Sequence, residues 1–222
     1  MTPVLLFDLD GTILDTTELI IASFLYTFAE GLQETVSREE VMQYFGRSLD
    51  DQFRIMRPEL EAADVDRLVA LYRAHNHAHH DQMISLIAGA GEALHRWQQR
   101  GVPMGLVTSK RLDMTERGLR RYDLWPLFAT IVHHDSTSRH KPDPDPLLLA
   151  LKELQAQPES SWYIGDSPYD MRAAKSAGCQ AIGFCYNTFT SRELEEAGAD
   201  HLVRSWPELY AWWENNNRGN EG

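Results

Sequence analysis

Two carboxylates, Asp8 and Asp10, stand two residues apart at the end of the apolar run VLLF, and Gly11 and Thr12 follow them. A continuous apolar run before a glycine turn suits a strand buried on both faces. Alternate strand residues share a face, so the two carboxylates point roughly the same way at the strand's end. Burying such a pair is costly unless a cation or hydrogen bonds compensate. Thr108 ends the apolar stretch PMGLV, Lys141 lies in RHKPDPDP, and Asp166 follows WYIG. Asp8, Asp10 and Asp166 together offer the hard oxygen ligands of a magnesium site. An aspartate not taken up by metal could attack phosphorus, and a second could protonate the leaving oxygen and then activate water. Crowded carboxylates raise one another's pKa, so the nucleophile needs a cation beside it. Lys141 is the candidate: at about 4 Å and an effective dielectric of about 20, one such charge contributes about 4 kcal/mol of attraction. Thr108 would offer a hydroxyl to a phosphoryl oxygen, and Gly11 would let the backbone approach closely.

The elements that must position these residues alternate. Beyond the opening strand, strands are expected at 103–108, 130–133, 161–164, 181–184 and 201–203, and helices at 91–99, 113–122, 145–154, 169–177, 192–197 and 206–216. Alternation of this kind implies right-handed crossovers and a parallel sheet. The expected fold class is α/β, a doubly wound, Rossmann-like sheet. Ligands of such sheets bind beyond the carboxyl ends of the strands, near the switch point. Asp8, Asp10, Thr108 and Asp166 each fall where an expected strand ends.

Residues 15–85 follow another rhythm, with helices expected at 16–30, 41–45, 49–56 and 62–83 and no strand. Ser37 and Glu40 form a capping signal, and Gly46 is a stop. The expected organisation is a catalytic core of 1–14 and 86–222 interrupted by a helical unit at 15–85, with 217–222 as a frayed tail.

Composition narrows the function. The chain has 222 residues, 43% hydrophobic and 24% charged, as expected of a folded globular protein, and its net charge is −12. Nucleic acid and anionic membranes need a basic footprint, so neither is the expected partner. An anionic small substrate would need local help from a metal, lysine or arginine. No apolar run has the length of a membrane span, and no basic segment of a signal peptide precedes the first strand. A soluble, cytoplasmic protein with two reduced thiols, Cys179 and Cys185, is expected, as a monomer or homodimer.

Four motifs, DLDGT at 8–12, the strand ending at Thr108, Lys141 before PDPDP, and GDSPYD at 165–170, resemble those of the haloacid dehalogenase superfamily of phosphatases, in the same order. The resemblance implies Asp8 as the nucleophile that forms an aspartyl-phosphate. It implies Asp10 as general acid/base whose backbone carbonyl also meets Mg²⁺. Thr108 and Lys141 would hold the phosphoryl group, Asp166 would ligate the metal, and Asp170 would act from behind on the metal's waters. The helical block takes the position of the family's cap. Its Gly46-Arg47-Ser48 turn resembles a specificity loop, so Arg47 is a candidate for a substrate's carboxylate or second phosphate, with an exposed arginine at a helix end as the alternative. Gly11, Thr108 and Ser109 complete the candidate substrate contacts, although Ser109 and Lys110 otherwise read as exposed loop residues.

Single residues sort the branches. Asp10 stands where dehalogenases lack an acid. The cap lysine of Schiff-base phosphonate hydrolases has no counterpart, because no lysine falls between Met1 and Ser109. A sugar phosphomutase is kept open by Thr16, although Leu19 and Ile20 stand where its cap histidine would be. The closest likeness is to the phosphoglycolate phosphatase and PpaX-type pyrophosphatase group. A non-catalytic regulatory protein on the same fold would have shed Asp8, Asp10 or Lys141, and all are present. His75, His77, His79 and His80 suggest zinc, but without a Cys or carboxylate arrangement they read as a solvated or interface helix face. Trp206, Trp212 and Trp213 read as packing of the last helix.

Overall fold

The computed structural model describes residues 3–186 and 188–217. The chain opens with β1 (Val4–Phe7) and β2 (Leu14–Asp15), then runs through α1 (Thr17–Leu32), α2 (Arg38–Met42), α3 (Leu49–Met56) and α4 (Ala62–Met83). After β3 (Ser85–Leu86) helices and strands alternate: α5 (Ala90–Gln99), β4 (Met104–Val107), α6 (Leu112–Arg121), β5 (Thr130–Val132), α7 (Asp145–Glu153) and β6 (Ser161–Gly165). The last elements are α8 (Pro168–Ala177), β7 (Gln180–Phe184), α9 (Ser191–Glu196), β8 (His201–Val203) and α10 (Trp206–Asn217).

Because β1 is apolar throughout, it sits inside the sheet. Leu5 and Phe7 enter the core on one face, and Val4 and Leu6 enter the core on the other. The six main strands are all parallel, in the order β5-β4-β1-β6-β7-β8, which is the doubly wound arrangement expected. The chain winds outward from β1 to β4 and β5, then crosses back to β6 on the other side. The switch point therefore lies at β1, and the ends of β4, β1 and β6 open into one crevice. Phe7 is clasped by Trp97 of α5 and Trp206 of α10, with ring centroids at 5.8 and 5.6 Å. Trp206 and Trp213 are buried as packing residues of the last helix. The Trp206 indole Nε1 also donates to the carbonyl of Thr12 at 2.9 Å, pinning the turn that follows the paired aspartates.

Helices α1 to α4 enclose a separate core, in which Phe24 meets Phe53 at 5.1 Å and Tyr72 at 4.9 Å between centroids. The sequence pattern differs from the structure at the edges of this unit. Leu14–Asp15 and Ser85–Leu86 pair as a two-stranded antiparallel ribbon where no strand is expected. Two-residue strands are too short to carry periodicity, so their pairing is set by the elements around them. Helix α2 starts at Arg38 because Ser37 accepts from the Glu40 amide at 3.1 Å, and 43–46 continue as turns up to Gly46, where φ is +86°. Of the expected frayed tail, Asn217 ends α10, and 218–222 lie outside the described residues.

Candidate active site

The backbone carries the paired strands one residue past their ends: the Asp8 amide donates to Ile164 and the Thr108 amide to Val132, each at 2.9 Å. This fixes Asp8, Thr108 and Asp166 side by side at the rim of a cavity of about 420 Å³. Asp10, Gly11, Lys110 and Lys141 also line it from the sheet side, while Arg47, Gln52, Tyr72 and Arg73 line it from the helical unit.

Lys141 is almost fully buried, and its ammonium has three acceptors: Asp170 at 2.7 Å, Asp8 at 2.9 Å and the Tyr163 hydroxyl at 3.1 Å. Three N–H donors meet three oxygens, so the lysine is satisfied and cannot rotate away cheaply. Burial alone would lower its pKa, but Asp170 and Asp8 raise it, and it stays charged. Burial pushes the Asp8 carboxyl up to about 7, against the pull of Lys141 and with help from Asp170 and Asp10. Asp166 is pushed well above the usual carboxylate range, by burial first and then by Asp170 and Asp8.

Asp170 has no oxygen to spare. Its Oδ1 accepts from Lys141 and faces the Tyr163 hydroxyl at 3.0 Å, and its Oδ2 accepts from the Ser167 amide at 3.0 Å and hydroxyl at 2.5 Å. It caps α8 and holds Lys141 against Asp8. Asp8, Asp166 and Asp170 each place an oxygen within 4.8 Å of the others, the one such group among the described residues. With all three ionised, these buried carboxylates face one buried ammonium, an imbalance of two charges that a divalent cation would offset. The donors are all oxygen, with no thiolate or imidazole among them, which suits a hard ion such as Mg²⁺.

Asp10 accepts at Oδ1 from Thr16 at 2.8 Å and from Lys110 at 2.7 Å. The sequence reading of Ser109 and Lys110 as exposed loop residues is therefore corrected. Lys110 is turned inward by its ion pair, with 12% of its side chain exposed. Ser109 is half-buried and its hydroxyl donates to the Gly46 carbonyl at 3.3 Å. Thr108 Oγ1 accepts from the Lys110 amide at 3.2 Å, which leaves its proton as the donor it can offer.

Two glycines are sterically required. At Gly11, with φ +79°, a Cβ would lie 2.2 Å from Asp166 Oδ2, so the close approach of the two strand ends depends on its absence. At Gly46 a Cβ would lie 2.4 Å from the Ser167 hydroxyl, which is how closely the helical unit's loop sits on the sheet. Arg47, next in that loop, is half-buried with its guanidinium 4.4 Å from the Tyr169 ring centroid, and its Nε is buried without a partner. That position sets aside the exposed alternative.

Of the histidines on α4, His75 stacks on His79 at 4.2 Å and on Tyr26 at 4.5 Å, and His80 is fully buried with Nδ1 on Asp81 at 2.9 Å. These three form packing contacts, so for His80 the solvated-face reading is corrected, while His77 is exposed and lines the cavity. Cys179 and Cys185 are free thiols, and burial pushes Cys179 up to about 12. No helix among the described residues is long and apolar enough to cross a membrane. Sequence reasoning missed Lys110, Tyr163 and Arg73. Only Tyr163 left a signal, a phenol inside a buried strand that needs a partner for its hydroxyl.

The model of the haloacid dehalogenase-like hydrolases matches residues 5–184. The chain is 34% identical over 204 residues to pyrophosphatase PpaX of Halalkalibacterium halodurans, a match covering 92% of this chain and 93% of that protein. The crystal structure of CbbY from Rhodobacter sphaeroides in complex with phosphate superposes with a TM-score of 0.83 at 27% identity, over 94% of this chain and 96% of that one. A predicted phosphoglycolate phosphatase from Haemophilus somnus 129pt shares the fold, with a TM-score of 0.85 at 18% identity over 96% and 98% of the two chains. The motifs, the sheet that gathers them and a family match over most of the length converge, and the chain belongs to the haloacid dehalogenase-like hydrolases.

Proposed function

We propose that the protein is a Mg²⁺-dependent phosphatase that hydrolyses a small phosphomonoester of the phosphoglycolate kind, or pyrophosphate, through an aspartyl-phosphate on Asp8. The observation that carries this reading is the contact of Asp8 with Lys141 at 2.9 Å at a strand end, with Asp166 on the neighbouring strand. The identity to a pyrophosphatase supports the substrate class.

Asp8 and Asp166, with the backbone of Asp10, would hold the metal, and Asp170 would act on the site from behind. When bound, the ion supplies positive charge to the phosphoryl oxygens and keeps Asp8 ionised. The Asp8 carboxylate attacks phosphorus, the bond to the leaving oxygen breaks, and Asp10 gives that oxygen its proton. Asp10, now a carboxylate, takes a proton from water. The resulting hydroxide oxygen bonds to phosphorus, and the bond to Asp8 breaks to release phosphate. Lys141 and the Thr108 hydroxyl balance the negative phosphoryl oxygens, with Gly11 and Ser109 beside them. Thr16 and Lys110 orient Asp10.

Residues 15–85 act as a cap on a core of 1–14 and 86–222. Closed over the cavity, the cap excludes water other than the one used, and Arg47 reaches the part of the substrate beyond the reacting group. The proposal extends to a cytoplasmic enzyme of small solutes, acting as a monomer or homodimer.

A phosphate-release panel with Mg²⁺, containing pyrophosphate, phosphoglycolate and hexose phosphates, tests the proposal. Release from at least one is expected, and Asp8→Asn should lower it by about four orders of magnitude or more. No release from any substrate refutes it, and hexose-phosphate interconversion without release would point to a mutase instead.

A further inference from the structure

The cavity's cations are not equally provided for. Lys141 faces Asp8 and Asp170, Lys110 faces Asp10, and Arg111 faces Asp113 and Asp135 at 3.9 and 3.8 Å. Arg73 is the exception. It sits half-buried on α4, lines the same cavity, and has no ion pair, hydrogen bond or ring contact with any described residue. A partly desolvated guanidinium without a counter-charge is unfavourable, all the more notable in a chain of net charge −12 where acidic side chains are plentiful. Its free donors are a planar fork that suits the oxygens of phosphate or carboxylate.

Two other cavity residues, each with a ring contact, also lack an ion pair among the described residues. Arg47 approaches from the loop after α2 with a buried Nε that has no partner. His134 lies in the turn after β5, its ring stacked on His140 at 4.4 Å. Burial, then His140 and, least of all, Arg73 depress its pKa against Asp50 and Asp135. Neither residue is needed for the phosphoryl chemistry at Asp8. Two guanidinia carry the charge of a phosphoryl dianion rather than of a single carboxylate.

We propose that Arg73 is a specificity-determining residue which, with Arg47 and His134, holds the second phosphoryl group of a diphosphate whose first phosphoryl group lies against Asp8 and Lys141. The assignment rests on the phosphatase reading and narrows it to substrates with two phosphoryl groups, inorganic pyrophosphate being the smallest. It makes α4 the element that distinguishes a diphosphate from a simple ester.

The test compares kcat/KM for pyrophosphate and for p-nitrophenyl phosphate in the wild type, Arg73→Gln and Arg73→Lys, with Mg²⁺ present. Wild type should prefer pyrophosphate, and Arg73→Gln should lower the ratio of the two constants by about 30-fold or more, chiefly through KM for pyrophosphate. Arg73→Lys, which keeps the charge and loses the fork, should recover part of the ratio. Methylenediphosphonate, used as a competitive inhibitor, should weaken in Arg73→Gln by a similar factor while inorganic phosphate changes little. Equal losses on both substrates, an unchanged ratio, or a wild type that prefers p-nitrophenyl phosphate each overturn the proposal and leave the phosphatase reading standing. A wild type that releases phosphate from neither substrate overturns the phosphatase reading itself.

Discussion

Replacing Asp8 with asparagine should remove activity and, in the metal-free protein above neutral pH, increase stability. Asp8 is 4% exposed, and its carboxyl is raised from the usual 3.8 to about 7, mainly by burial. Between about pH 4 and pH 7 the folded protein therefore keeps a proton that the unfolded chain has released. Stability must fall as pH rises through that window, because the folded state binds more protons. At about 1.4 kcal/mol per pH unit, the loss reaches about 4 kcal/mol by pH 8. Asparagine has the shape of the protonated acid and no proton to lose, and its carbonyl still accepts from Lys141. The variant and wild type should therefore be closest near pH 4 and diverge as pH rises, up to about 4 kcal/mol, or about 8–16 °C in Tm for a chain of this length. Thermal and urea unfolding in chelator, from about pH 4.5 to 8.5, would measure it. Mg²⁺ should then stabilise the wild type by about 2.7 kcal/mol at a hundredfold excess over Kd, and the variant by less. A variant less stable than wild type at pH 8, or a difference that does not change with pH, would refute the reasoning that Asp8 is held ionised at the expense of the fold.

Lys141→Met should be the opposite case: it leaves Asp8 and Asp170 facing each other without their shared ammonium, so a loss of about 3–5 kcal/mol and of phosphate release is expected. Retained stability at pH 8 in chelator would show that the lysine does not offset those charges. Gly11→Ala forces a Cβ to within 2.2 Å of Asp166 Oδ2 at a positive φ, so stability should fall by about 1–3 kcal/mol and kcat by about 100-fold. Near-wild-type turnover would mean that the approach of Asp166 to the first strand's turn is not needed for the chemistry.

Much of this was legible in the sequence, because it depends on local pattern. The apolar run before Asp8 dictates a strand covered on both faces, and such a strand is central in a parallel sheet. Alternation of strands and helices dictates the winding, and winding puts every strand's carboxyl end on the same edge, which is why Asp8, Thr108 and Asp166 group together from the sequence alone. The helices at 16–83 carry a 3.6-residue period and so could be recognised without knowing what they pack against. The two-residue strands that bracket them carry none. Lys110 looked like an ordinary loop lysine, because nothing in its neighbours says that its side chain turns inward to Asp10.

The sequence by itself determined the longer elements, their order and the residue types at each strand end, since propensity, periodicity and turn chemistry act over a few residues. Only the tertiary structure decided which charges answer one another. Lys141 meets Asp8 from far along the chain, Tyr163 backs both Lys141 and Asp170, and Trp206 pins the turn at Thr12 from the last helix. It also left Arg73 and the buried Nε of Arg47 at the cavity without partners. Pairing of this kind depends on distance and burial between side chains remote in sequence, and neither quantity exists until the sheet has formed and the helices have closed over it.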